Sequence, residues 1–382
     1  MRRTTLFVLF DSLGWELIGE ANFLADLARH RYRLRTVLGP TSASLPTLLT
    51  GAAPRDHGHW MPFSYAPDDS PFRRFFFIRH LPSRLARSPS IRRRIGHIIA
   101  RRLRWSGDFD LSNVPLEILP FLDSTAKCDL FEPGALAPFA TAVDRLREEQ
   151  IPFLLSDPRA TDAQNFERAG SALTGGQAPF VLLRARELDG VLCQAGPRSE
   201  AARQKLGWYE AEIRRLCEAA ARDEALVRLY LGSGHGVTEV VETVDIQSRV
   251  EGTGLRLGSD YFAFYDATMA RFWFADPPAR HRIMGSLADV HRGCWLGDDQ
   301  LRIEGVYFHD HRYGEAVFLL DPGVQIVPSY AAAQRLAATG GYHPDAPGSW
   351  GAFCANFPLE IPPRLIGDLS ALILEGARWA AK

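Results

Sequence analysis

Three residues with chemistry to offer each follow an apolar run of strand length: Asp11 after residues 4–10, Asp189 after residues 179–183, and His235 after residues 226–231. Short apolar runs that end in polar or glycine-rich residues read as strands buried on both faces of a parallel sheet. In such sheets ligands bind beyond the carboxyl ends of the strands, so two carboxylates and an imidazole are expected along one edge. A fourth candidate is Thr41. It opens TSASLPTLLTGAAPRDHGHW (41–60), which has the form of a hydroxyl nucleophile at a helix start followed by a TG-x-x-P-x-x-HG turn. A helix start also offers peptide N–H groups to a developing oxyanion.

The elements that must position these residues follow from pattern. Helical periodicity is expected over residues 21–29, 136–149 and 199–221, between the strands. Strands alternating with helices predict an α/β fold with a mostly parallel sheet flanked by helices on both faces. Residues 61–130 interrupt the alternation and read as an inserted cap on a core made of residues 1–60 and 131–382. Eleven arginines (73, 74, 79, 84, 87, 92, 93, 94, 101, 102 and 104) lie there with no acid between Asp69 and Asp108. Residues 91–105 place Ile91, Ile95, Ile98, Ile99 and Leu103 on one side of a basic amphipathic helix. Such a face is either plainly solvated or a docking surface for something anionic.

Composition removes several classes. The 382 residues are 46% hydrophobic, as a packed globular protein requires, and 44 basic against 45 acidic residues supply no global reason for a nucleic-acid partner. Residues 6–10 form an apolar run too short for a signal peptide or a membrane span, so no transmembrane anchor and a cytoplasmic location are expected. Cys128, Cys193, Cys217, Cys294 and Cys354 lack CxxC spacing and are expected to be reduced thiols.

Several motifs occur together and in order. FVLFDSLG (7–14), the 41–60 stretch, LDGVLCQAGP (188–197), GSGHGVTEV (232–240), DYFAFYDATMARFWF (260–274), RYGEAVFLLDPGVQIVPS (312–329) and GGYHPDAPGSWGAF (340–353) span most of the chain. Together they resemble the alkaline phosphatase superfamily, in its nucleotide pyrophosphatase/phosphodiesterase branch. The resemblance implies an alkaline-phosphatase-like α/β fold and two zinc-type ions that hold phosphoryl oxygens for a serine or threonine nucleophile. One ion would take Asp11, Thr41, a carboxylate at 234 and His235; the other would take Asp189, a histidine at 193 and a histidine at 340. The chain has Gly234, Cys193 and Gly340 at those positions. A cysteine can ligate zinc; a glycine cannot. His343 could replace the missing histidine only through a shifted loop, so zinc or manganese belongs to an alternative reading, and no cofactor is expected.

What the resemblance leaves is a pocket where Thr41, Cys193, His235, Asp11 and Asp189 converge. A threonine or cysteine activated by His235, with Asp11 or Asp189 orienting the imidazole, suits acyl transfer or thioester hydrolysis. A thiol beside the imidazole is expected to ionise below its free value of about 8.5. The substrate would be anionic or tethered to a carrier, with an acyl carrier protein meeting the basic cap at residues 73–104. The alternatives are a metal-dependent phosphodiesterase and an inactive ligand-binding relative. His57 is assigned to its turn, His59 and Trp60 to the pocket mouth, and His309 and His311 to one face of a strand. Arg271, Arg312 and Tyr313 receive no role.

Overall fold

The alternation of β1 (Arg3–Phe10) sets the layers of the molecule. Leu6, Val8 and Phe10 enter one core with helices Asp162–Thr174 and Glu200–Ala220, through Phe166, Leu206, Tyr209 and Ile213. Phe7 and Leu9 point the other way, into a core with α1 (Thr41–Thr50) and the C-terminal helix Leu369–Ala380. The computed structural model describes residues 2–82, 88–111 and 113–382, apart from the side chains of Arg79 and Asp223. Arg84, Arg87 and the side chain of Arg79, counted in the basic run, lie outside the described residues.

The remaining strands of the main sheet are β2 (His30–Leu34), β3 (Phe153–Leu155), β4 (Phe180–Ala185), β5 (Leu226–Ser233) and β6 (Gly351–Ala355). They lie in the order β2-β6-β5-β1-β4-β3. β1 is parallel to both β4 and β5, β3 is parallel to β4, and β6 runs antiparallel between β2 and β5. The expected mostly parallel α/β sheet with helices on both faces is therefore present, and the three strands ending nearest Asp11, Asp189 and His235 are neighbours at its centre.

Two helical expectations need correction. Residues 21–27 are a chain of turns with Asn22 and Leu24 at φ 51° and 48°, backbone that a helix cannot contain. Of residues 136–149 only Ala142–Glu148 is helical, because Thr141 and Asp144 close a capping box that starts the helix there. The third expectation fares better: the long helix is Glu200–Ala220, capped by the Ser199 side chain.

A second sheet of four antiparallel strands, Tyr261–Tyr265, Met269–Phe274, Ala316–Leu320 and Gly293–Leu296, carries another core. Phe63, Phe72, Ile78, Ile99 and Leu111 of the 61–130 segment pack into that same core. The basic helix of this segment is α2 (Pro89–Leu103), which buries Gly96 and Ile99. Ile98 was expected on the apolar side and is instead 51% exposed. Among the described residues no helix is long and apolar enough to cross a membrane, and all five cysteines are free thiols.

Candidate active site

Asp11, Asp189 and His235 come shortly after strand ends, while Thr41 opens a helix and Cys193 lies inside one. Asp11 follows β1, His235 lies two residues beyond β5, and Asp189 and Cys193 fall in α3 (Glu187–Ala195), which begins just after β4. Thr41 is the first residue of α1, behind Pro40, whose missing N–H costs nothing at a helix start. The Ala43 and Ser44 amides bond back to the Pro40 carbonyl.

Thr41 Oγ1 lies 2.9 Å from His235 Nε2. On the other side of the ring, Nδ1 lies 2.9 Å from the Gly236 carbonyl oxygen. A carbonyl has no proton to donate, so Nδ1–H is the donor, and in the neutral form of the ring the Nε2 lone pair is the one turned to the Thr41 hydroxyl. The imidazole is buried, with 5% of its surface exposed. The sequence assigned the orienting role to Asp11 or Asp189; a backbone carbonyl fills it instead.

Asp11 is engaged elsewhere. Its Oδ1 and Oδ2 each accept at 2.8 Å from Nε and Nη2 of Arg184, a residue of β4 paired in register with Leu9. Burial works against the Arg184 charge, but the carboxylates around it, Asp11 first and then Asp108 and Asp129, outweigh it and raise the guanidinium pKa. Asp189 has its carboxyl pushed up by burial, against the opposing pull of the His235 imidazole. The Cys193 thiol is pushed up to about 12 by burial and by the Asp189 carboxylate, the reverse of the lowered value expected beside an imidazole. A thiol held so high is protonated near neutrality and is a poor nucleophile.

The residues present do not fit two metal ions. Both Asp11 oxygens face a guanidinium, and both His235 nitrogens already have partners. A Cβ at Gly234 would stand 2.9 Å from Ser44 Oγ, so the place of a carboxylate is filled by a neighbour. A Cβ at Gly340 would stand 3.2 Å from His235 Nδ1 and 3.2 Å from the Gly236 oxygen, against the bond that orients the ring. His343 does not supply the missing histidine: its ring lies 3.6 Å from Glu304 and 3.8 Å from Asp345. Those three residues could converge on a cation. Arg35 already takes both carboxylates, at 2.8 Å and 2.7 Å.

A cavity of about 230 Å³ opens beside Thr41. Leu45, Pro46, His59 and Arg184 line it, together with residues 106–108, 125, 126 and 128–130 of the 61–130 segment. His59 thus reaches the pocket as expected, while Trp60 is buried, donating from Nε1 to the Leu38 carbonyl at 2.7 Å. His57 is held in its turn: Nδ1 accepts the His59 amide, leaving Nε2–H for Thr47 Oγ1 at 3.0 Å. His309 and His311 are not on a strand. They sit in a turn where His311 has φ 50°. Arg271 is fully buried and bonds Asp266 at 2.9 Å, Arg312 pairs with Asp310, and Tyr313 donates to the Gly58 carbonyl. Sequence reasoning missed Arg184, although a lone cation in the apolar strand FVLLRA was a visible signal.

No protein-family model matches this sequence, and a comparison with curated protein sequences finds no match. Solved structures do match. Murine ectonucleotide pyrophosphatase/phosphodiesterase 5 superposes with a TM-score of 0.67 at 13% identity, covering 99% of this chain and 95% of that one. The human protein gives 0.65 at 12% identity with the same coverage. The chain has the nucleotide pyrophosphatase/phosphodiesterase fold of the alkaline phosphatase superfamily. A third match, at 0.66, is an inactive threonine-to-alanine variant of the murine protein in complex with AMP. Within this nucleotide pyrophosphatase/phosphodiesterase fold, Thr41 and Arg184 line the cavity, whereas Cys193, His235, Asp11 and Asp189, expected in the same pocket, are not among its lining residues; His235 stands behind Thr41 and Asp11 behind Arg184 through their hydrogen bonds.

Proposed function

We propose that the protein is a metal-independent group-transfer enzyme that acylates Thr41 from a thioester and passes the acyl group to an acceptor. The observation that carries this reading is the 2.9 Å contact between Thr41 Oγ1 and His235 Nε2, on a ring whose Nδ1–H donates to the Gly236 carbonyl, so that the neutral imidazole can accept the hydroxyl proton. The hydroxyl attacks the thioester carbonyl carbon, a C–O bond forms, and the hydroxyl proton moves to Nε2. Collapse of the tetrahedral adduct breaks the C–S bond, and the departing sulfur takes the proton back from Nε2. The acceptor, a hydroxyl, an amine or water, then repeats the sequence on the Thr41 ester. Inactivation of the murine protein by loss of a threonine supports a threonine nucleophile in this fold.

The substrate proposed is a thioester tethered to an acidic carrier protein, docking on the exposed arginines 93, 94, 101 and 102 of α2. Residues 106–108, which follow closely on the end of α2, line the cavity, so a carrier bound on α2 would engage the same stretch of chain.

Incubation with a panel of short acyl thioesters, read by intact mass, tests the reaction. One acyl group is expected on Thr41, none on Thr41→Ala, and a loading rate reduced by roughly a hundredfold or more in His235→Ala. Cys193→Ser is expected to load normally. Absence of loading with every thioester would leave a ligand-binding protein without turnover. Stoichiometric zinc together with phosphodiester hydrolysis would return the chain to the chemistry of its fold relatives.

A further inference from the structure

The buried ion pair beneath the cavity has one partner with donors to spare. Arg184 lies one residue from the end of β4, in a strand whose other side chains are apolar, and its side chain is 14% exposed. A charge there is costly unless paired, and Asp11 pairs with it through Nε and Nη2. A guanidinium carries five N–H donors; the two bonds to Asp11 leave the Nη1 end uncommitted. Asp108 Oδ2 forms a long ion pair with Nη1 at 4.0 Å, beyond hydrogen-bond reach, and is itself held by Arg186 at 2.6 Å. Arg184, Asp108 and Thr41 all line the same cavity. The Nη1 edge is therefore at the cavity, on a rigid strand, with its orientation fixed by a carboxylate behind it.

The surroundings make this edge more attractive to an anion than a carboxylate count suggests. Asp129 also lines the cavity, and burial pushes its carboxyl up, as it does that of Asp189. α1 contributes as well: among the described residues no partner accepts from the Thr41 and Ser42 amides, which open a ten-residue helix whose positive end meets the cavity through Thr41 and Ser42.

We infer that Arg184 is the built-in cation of this site: clamped on Asp11, it uses its outer edge to hold an oxyanion of the substrate beside Thr41. In the fold relatives' chemistry, as the sequence resemblance implies it, a metal ion on the residue equivalent to Asp11 would do this. Here a guanidinium occupies the carboxylate and carries the charge itself. The inference deepens the proposed function, since a thioester oxygen that becomes anionic on attack is one such group. It does not depend on turnover, because it concerns binding.

Inorganic phosphate is the probe, followed by calorimetry and by ³¹P line broadening on the purified protein. Wild type is expected to bind phosphate saturably in the millimolar range. Asp11→Asn combined with Arg184→Gln replaces the pair by neutral isosteres, which spares the fold the uncompensated charge of a single change. That variant is expected to lose affinity roughly tenfold or more, the weight of one or two charged hydrogen bonds. Arg184→Lys keeps charge but loses the fork, and is expected to bind phosphate more weakly than wild type while remaining folded by circular dichroism. Asp299→Asn combined with Arg302→Gln, which neutralises an exposed pair, is the charge-matched control and is expected to behave as wild type. No saturable phosphate binding to wild type, or equal binding by wild type and both Arg184 variants, overturns the inference. Loss of binding in the Arg184 variants without any thioester loading would uphold the anion site and reject the transfer reaction. Loading without phosphate binding would do the opposite.

Discussion

At the scale of single residues, the site turns on what two glycines leave out. Gly340 leaves the His235 ring free to donate to the Gly236 carbonyl, since a Cβ would crowd both atoms of that bond. Gly340→Ala is therefore expected to fold but to slow Thr41 loading roughly tenfold, because a small tilt of the base spoils its line to the hydroxyl. Loading at the wild-type rate would show that the carbonyl bond is not what orients the ring. Gly234 is equally constrained by Ser44. Restoring ligands by Gly234→Asp, Gly340→His and Cys193→His together is thus expected to yield no tight zinc site while Arg184 holds Asp11. Zinc titration by calorimetry checks this, and submicromolar binding would show that the neighbours yield easily.

At the scale of elements, the turn after α1 couples the nucleophile's helix to pH. His57 is buried and its pKa is lowered to about 3, first by burial and then by His59. An unfolded histidine titrates near about 6.5, so the folded state binds the proton less well than the unfolded one. The stability contributed by neutral His57 is complete above that unfolded value and is lost progressively as pH falls from there toward about 3. Melting temperature against pH should fall through this window in wild type and fall less in His57→Gln, which can still donate to Thr47. Parallel curves would place the acid sensitivity elsewhere. α2 belongs to the same scale. Charge reversal at Arg93, Arg94 and Arg101 is expected to weaken binding of an acidic carrier protein, and wild-type binding should fall with added salt, since exposed charges are screened over about 8 Å at physiological ionic strength. Unchanged binding after reversal would return α2 to a solvated face.

For the whole molecule, two cores meet over one cavity. The parallel sheet delivers Arg184 to the cavity, with Asp11 and His235 following the ends of the neighbouring strands, and the segment sharing its core with the second sheet lines the rest. Because the charge balance of this arrangement is internal, the purified protein is expected to contain well below one equivalent of transition metal. Its melting temperature and thioester loading are expected to be unchanged by chelators. Elemental analysis and melting curves with and without a chelator read this directly; a large chelator-induced drop would mean that an ion is part of the fold.

The central strands, the order of motifs and the edge on which Asp11, Asp189 and His235 lie were legible in the sequence. They depend on local periodicity and on runs that end at the residues concerned. So was the absence of ligands at 234 and 340, which is a matter of residue type alone. The tertiary structure decided how the survivors are used. The Arg184–Asp11 pair joins residues 173 positions apart, and only strand register brings them together. The Gly236 carbonyl that orients His235 has no side-chain signature. The protonated state of Cys193 comes from burial, which spacing does not reveal, and the Ser44 hydroxyl beside Gly234 comes from the packing of α1 against the end of β5. Sequence pattern reports which side of an element is apolar; it carries no information on which distant group fills a given few ångströms, and at this site those few ångströms separate a metal ligand from a partner of arginine.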